Sequence, residues 1–299
     1  FAPTAVNTAG DQRLEIGTKI VAMVPAREET IISTDEAVYG MTFVGGALVF
    51  SFRLLATDSG AAGLNTMISI DGDVYWMGKR NFFKYDGIVN ELPCPVQYYV
   101  ADRLQTSYIE KTTVGHNKEF KEITWFYVSN DNPAGTVNPE PDSYVTYNYA
   151  ENCWTVGSMD RTVWSDSFGA KVVPFAFDPD GYLYNHETGT SADGAAMNSY
   201  IEGSPREISQ DGETLYMVDQ VIPDVIMTSD TSLSLYMNTR KFPNATEITK
   251  GPFTITSSTE KVSTRAKGRQ ISMKFQSTGT TDDWTLGDFR VNSRPDGLR

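Results

Sequence analysis

His116 and His186 are the chain's two histidines, in 299 residues. Acid–base chemistry near neutral pH usually needs an imidazole with an oriented partner. His116 sits in Gly115-His116-Asn117 and His186 follows Tyr184-Asn185, so both read as hydrogen-bonded turn residues with no nucleophile beside them. The chain has no Gly-x-Ser-x-Gly elbow, no phosphate-cradling Gly-Lys-Ser/Thr loop and no His-Glu-x-x-His pair. Asp71 with Asp73, and Asp178 with Asp180, each bracket or precede a glycine turn. Calcium needs six or more oxygens, so these pairs read as turns stabilised by aspartate side chains. Ser33-Thr34-Asp35-Glu36-Ala37 lacks the glycine of sialidase-type turns, and 38 acids offer no warranted carboxylate pair. Cys94 and Cys153 are too few for a disulfide scaffold or a zinc set, while a bridge between them stays open. The expectation is a chain that is not an enzyme, with no cofactor, no metal and no small-molecule substrate.

The sharper pattern is one of charge. Residues 261–299 hold eight cations (Lys261, Arg265, Lys267, Arg269, Lys274, Arg290, Arg294, Arg299) against four acids (Asp282, Asp283, Asp288, Asp296). That is +4 of a total of −13, which leaves −17 on residues 1–260. A chain so acidic is not a general binder of nucleic acid. Lys261, Arg265, Lys267 and Arg269 are all odd-numbered and would share one face of a strand. Ile271, Met273 and Phe275 continue the same parity, so that face turns apolar unless a bulge at Gly268 flips the register. These four cations are the candidate interface or DNA-facing residues, with a solvated face as the plainer alternative.

Short apolar runs separated by Gly, Asp, Asn and Pro recur along the chain. Thr30–Ser33 and Ala37–Phe43 flank Asp35-Glu36, and Thr66–Ile70 and Val74–Met77 flank Asp71-Gly72-Asp73, a strong hairpin signal. Tyr39 and Tyr75, offset by 36 residues, read as equivalent positions of successive propeller blades. Glu122–Ser129 pairs by pattern with Asp142–Tyr149 across Asn130–Pro141, and Phe175–Phe177 with Tyr182–Tyr184. Val96–Ile109 is the best helix candidate. Trp76, Trp125 and Trp154 lie in or beside apolar runs and should be buried. Beyond the small polar stretch Thr188–Asn198 come longer strands, with Pro223 forcing an edge or a bulge. The fold class expected is all-β: β-propeller-like blades over residues 1–195, then a C-terminal β-sandwich or closing sheets over residues 196–299. No apolar run reaches membrane-spanning length, and a first residue of Phe1 suggests an N-terminally truncated chain.

Val24–Glu29, Val38–Phe43, Asp71–Gly78, Phe83–Gly87, Glu91–Val96, Gly115–Phe120, Val145–Trp154 and Asp180–Tyr184 resemble the tail hub or nozzle proteins of short-tailed bacteriophages. Gly268–Gln270, Trp284–Gly287 and Arg294–Gly297 resemble the same family's closing strands. The resemblance implies a virion structural protein that is localised to the tail and assembled in the host cytoplasm. It further implies a homo-oligomeric six-fold ring beside portal, adaptor and tail fibre or needle proteins. That ring would retain and conduct the genome, and its acidic wall would repel the phosphates of sliding DNA. The alternative is a propeller-type binding module docking a host-surface glycan or a tail fibre.

Overall fold

The computed structural model describes residues 7, 10–46, 48–131, 136–209 and 212–297. Phe1, Arg299 and part of the Asn130–Pro141 loop lie outside the described residues. The chain divides into two compact units, Phe1–Thr188 and Gly189–Arg299.

The first unit is a series of antiparallel meanders, each built from strands consecutive in sequence. The first sheet is β1 (Ile20–Pro25), β2 (Thr30–Thr34), β3 (Ala37–Phe43) and β4 (Phe50–Thr57). The second is β5 (Met67–Ile70), β6 (Asp73–Met77), β7 (Phe82–Tyr85) and β8 (Val89–Leu92). A helix, α1 (Gln97–Arg103), and a 3-10 turn (Thr106–Lys111) lead to the third. That sheet is β9 (Thr113–Asn117), β10 (Glu122–Tyr127), β11 (Ser143–Asn148) and β12 (Cys153–Ser158). A three-stranded sheet follows, of β13 (Val163–Ser165), β14 (Phe175–Phe177) and β15 (Leu183–Asn185).

Strand alternation explains why these sheets stack. On β6, Val74 and Trp76 face the first sheet and join Ala22, Ile31 and Val38. Tyr75 and Met77 face the third sheet and join Ile123, Trp125, Tyr127, Val145 and Tyr147. On β10, Trp125 packs toward Phe82 of the second sheet, while Phe126 stacks at 5.9 Å on Trp164 of the fourth. Each middle sheet is therefore apolar on both faces and sandwiched between its neighbours in sequence, which makes this unit β-propeller-like.

The hairpins pair as the turn residues predict. Asp71 (φ 53°) and Gly72 (φ 92°) both take the left-handed conformation that a two-residue turn closing Ile70 against Asp73 demands. The 36-residue repeat does not hold. Tyr39 lies on β3, the third strand of its sheet, whereas Tyr75 lies on β6, the second of its own. An Asp turn followed by Val-Tyr specifies a local hairpin, not where that hairpin sits in a blade. Trp76 and Trp125 are buried. Trp154 is only half-buried, on edge strand β12, with its indole N–H donating to Pro93 O at 3.0 Å. The cysteines are free thiols, and burial pushes that of Cys94 up to about 11.

The second unit is a sandwich. One sheet contains β16 (Ser199–Glu202), β17 (Arg206–Glu207), β20 (Leu233–Arg240), β21 (Ile248–Ile255) and β23 (Gln270–Ser277). The other is β22 (Val262–Gly268), β18 (Tyr216–Ile222) and β25 (Arg290–Pro295), and β19 (Val225–Met227) pairs with β24 (Trp284–Leu286). Val218, Val221, Val262 and Ala266 from one layer meet Leu233, Leu235, Met237, Ile271 and Phe275 from the other. Pro223 lies between β18 and β19, ending a central strand rather than lying on an edge.

Candidate functional site

The expected cationic ladder is partly formed. On β22 burial alternates without a break, leaving Ser263, Arg265 and Lys267 outward between buried Val262, Thr264, Ala266 and Gly268. Lys261, just before the strand, is exposed as well. Lys267 is already engaged with Asp296 at 2.7 Å, and on the same sheet Arg294 approaches Asp219 at 3.8 Å. Arg269 does not share the face. A Cβ on Gly268 would meet Arg240 O and Gln270 O at 3.0 Å, and the chain turns there from one layer into the other. Arg269 lies instead over the Phe242 ring at 4.9 Å, and its backbone N–H donates to Arg240 O at 2.9 Å. The outer face is thus mixed in charge. Among the described residues, Lys261, Arg265 and Arg290 form no ion pair within 4.0 Å.

A second cluster joins the first two sheets. The Glu29 carboxylate, 8% exposed, accepts from Arg53 at 2.9 Å and from the Tyr85 hydroxyl. Burial, followed by the Glu29 contact, pushes the Tyr85 phenol up to about 12. A Cβ at Gly40 would run into that carboxylate, so any side chain there must displace Glu29. Arg27 donates to Asp71 O at 3.2 Å, and Lys84 bridges Asp73 and Asp86 at 3.0 Å each. Residues up to 56 apart in sequence meet at this joint.

A gathering of shifted ionisable groups lies between the third and fourth sheets, around two histidines whose sequence context reads as turns. His116 is on β9. Its Nε2 lies 3.1 Å from Tyr149 Oη and its Nδ1 3.6 Å from Asp166 Oδ2, forming a row of carboxylate, imidazole and phenol. Burial disfavours its protonation despite Asp166. Trp164 donates to His116 O at 2.9 Å and packs at 4.6 Å on His186, tying both histidines to one seam. A Cβ on Gly115 would collide with that indole. Burial also raises Glu122 and Glu187, and the latter accepts from Asn117 at 3.0 Å. Shifted groups gathered in one place mark a candidate site for proton chemistry or polar ligands. His116 and Tyr149 are 33 residues apart and Trp164 lies 48 beyond His116, so no local motif announces the seam. Among the described residues no group of three or more His, Cys, Asp or Glu side chains could hold a metal ion.

His186 accepts a hydrogen bond from Arg161 Nε at 3.0 Å, so its Nε2 carries no proton. Burial, then the guanidinium, lowers it from 6.5 to about 4. The folded chain therefore refuses a proton that the unfolded chain binds between these values. The resulting stability is complete above pH 6.5 and is lost as pH falls toward 4. After discounting for partial exposure, the loss is about 2 kcal/mol. His186→Gln keeps an acceptor for Arg161 without titrating, so urea unfolding of the first unit should show a flatter pH slope in that variant. An unchanged slope would assign the acid sensitivity elsewhere.

A separate cleft of about 520 Å³ runs between the first sheet and the 3-10 turn, lined by Lys19, Asp35, Ala62, Leu64, Lys79 and Glu110. Both of its carboxylates are engaged. Asp35 accepts from the Thr18 hydroxyl and N–H at 2.7 Å, which holds it far below the usual carboxylate range, and Glu110 pairs with Lys19 at 2.5 Å.

No family model and no curated protein matches the chain. Similar solved structures include an exo-β-1,3-galactanase from Phanerochaete chrysosporium, 9% identical, with 88% of this chain and 78% of that one covered at a TM-score of 0.26. Another is titled simply glycoside hydrolase, 9% identical, with 91% and 83% covered at a TM-score of 0.25. The expectation that the chain is not an enzyme is corrected by these matches. The structures it is similar to are named for hydrolytic activity, so an absence of catalysis is not carried further. At such low TM-scores no residue role is transferred from them either.

Proposed function

We propose that this chain is a structural subunit of a short-tailed phage tail, of the hub or nozzle type, contributing to a ring that retains and conducts the genome. The observation that carries this reading is where the resembling motifs meet. Arg27 and Glu29 from the first, Gly40 from the second, Asp71 and Asp73 from the third, and Tyr85 with Asp86 from the fourth converge on one inter-sheet joint. Motif residues spent on holding sheets together support a scaffold reading. Partners under this reading are further copies of the chain, portal and adaptor subunits, and fibre or needle proteins, with DNA passing by without sequence-specific contacts.

Assembly would use the outward cations against the acidic body of a neighbour. Exposed pairs contribute about 0–1 kcal/mol each, so single changes should be nearly silent. Lys261, Arg265 and Arg290 changed together to Gln should weaken assembly, with both the effect and the wild-type association shrinking as salt rises. Imaging and sedimentation of the wild type should give six-fold rings with a bore of duplex width. A monomer at every concentration, or rings of normal yield in the triple variant at low salt, would count against the reading. Tyr98 and Tyr182, both well exposed, favour the second reading of glycan or fibre docking. Binding without ring formation would select it.

A further inference from the structure

The β3–β4 hairpin ends in an apolar tip that nothing else in the described chain covers. Between Glu36 and Arg53 lie 16 residues without a charge. Phe43 and Phe50 form the last cross-strand pair, edge to face at 5.8 Å, and are 70% and 44% exposed. Val44 and Leu48 in the turn are 55% and 75% exposed. One face of the hairpin is continuous with the covered cluster of Tyr39, Met41 and Phe52, so the apolar ridge runs from core to open surface.

We propose that this tip inserts into the interfacial layer of a zwitterionic lipid bilayer. Four features favour lipid over protein. First, Phe43 and Phe50 on the two arms and Val44 and Leu48 in the turn are all exposed, an apolar projection that suits a surrounding fluid better than a flat partner. Second, the four side chains expose on the order of 400 Å², about half of the roughly 800 Å² per partner that a stable protein interface buries. Third, the ladder of backbone hydrogen bonds continues past the last strand pair into the turn. Val44 and Gly45 both donate to Val49 O, at 3.1 and 3.3 Å, which lowers the cost of bringing those two N–H groups into an apolar medium. Fourth, Arg53 is the first charge down β4, three residues from Phe50, or about 10 Å along a strand. That matches the depth of roughly 5–10 Å to which interfacial segments bury. The net charge of −13 opposes adsorption to anionic lipid, hence the zwitterionic surface.

The test is flotation of the whole chain with phosphatidylcholine vesicles, alongside vesicles containing phosphatidylglycerol. The wild type should float with the first and less with the second. A Phe43→Ser, Leu48→Ser double variant should lose at least tenfold in partitioning, with an unchanged melting temperature because both positions are exposed. Ile226→Ser, at an exposed apolar position of the second unit, should float like the wild type. Equal flotation of wild type and double variant, or none by either, would overturn the proposal. So would a wild-type dimer that the double variant dissolves without any flotation, since a second copy would then cover the tip. Ring formation is read separately, so failure here leaves the assembly reading where it stood.

Discussion

Replacing Trp125 by alanine is expected to lower the unfolding free energy of the first unit by about 4 kcal/mol. The indole is fully buried between the second and third sheets, packed at 5.1 Å on Phe82 and at 6.2 Å on Trp154. Its N–H donates to Thr66 O at 2.9 Å across 59 residues of sequence. Truncation therefore removes a large apolar body at that seam and leaves the Thr66 carbonyl with only the longer bond from Met77 N–H at 3.4 Å. Each of those losses is costly alone, about 3 kcal/mol or more for the cavity and about 1 kcal/mol for the bond. Trp125→Phe should recover most of the packing and none of the bond. Trp154→Ala should cost less, about 2 kcal/mol, because its ring is half-buried on an edge strand. Urea unfolding followed by hydrogen exchange of first-unit amides gives the ranking. An alanine variant at position 125 no less stable than the variant at 154 would refute the view that the second and third sheets are joined through this side chain.

The sequence was most legible where a feature is local. Asp71-Gly72 forced its turn, and burial on β22 alternates as the parity of Lys261, Arg265 and Lys267 implied. Val96–Ile109 contains the helix, and the hairpins at 122–149 and 175–185 pair. Legibility failed where a property depends on which sheet a strand joins. Tyr39 and Tyr75 share a turn context but not a strand position. Arg269 keeps the parity of its neighbours but follows Gly268, where the backbone crosses between layers. The seam of His116, Tyr149, Asp166 and His186 was invisible for the same reason. Its members become neighbours only because β9, the turn after β11 and the loops around β13 and β15 meet, and no periodicity encodes that meeting. The Glu29 joint is an intermediate case: its residues stood out through resemblance, but their shared role needed the fold.

Replacing Gly60 by alanine should cost about 3 kcal/mol, an effect that contacts of the native side chain could never suggest, since glycine has none. Its backbone lies against the β2–β3 turn so closely that a Cβ would sit 2.5 Å from Asp35 C and Glu36 N and 2.6 Å from Thr34 O. All three are main-chain atoms fixed by the hairpin, so the clash cannot be relieved by turning a side chain. The segment carrying Gly60 must move instead, and it is tied on both sides. Ser59 N–H donates to Glu36 O at 3.1 Å, the Trp76 indole donates to Ser59 O at 2.7 Å, and Ala61 N–H donates to Ser33 Oγ at 2.7 Å. Displacing the loop by even an ångström breaks or stretches those bonds, and it disturbs the packing of Trp76 between the first two sheets. The loss is thus overpacking of about 1–3 kcal/mol together with buried hydrogen bonds at about 1 kcal/mol apiece, partly relieved by relaxation. Gly10→Ala is the matched control, because a Cβ there meets nothing within 4 Å and should leave stability unchanged. Thermal and urea unfolding of both variants decide the matter. A Gly60 variant within about 0.5 kcal/mol of the wild type would mean that the loop is not clamped between the β2–β3 turn and β6.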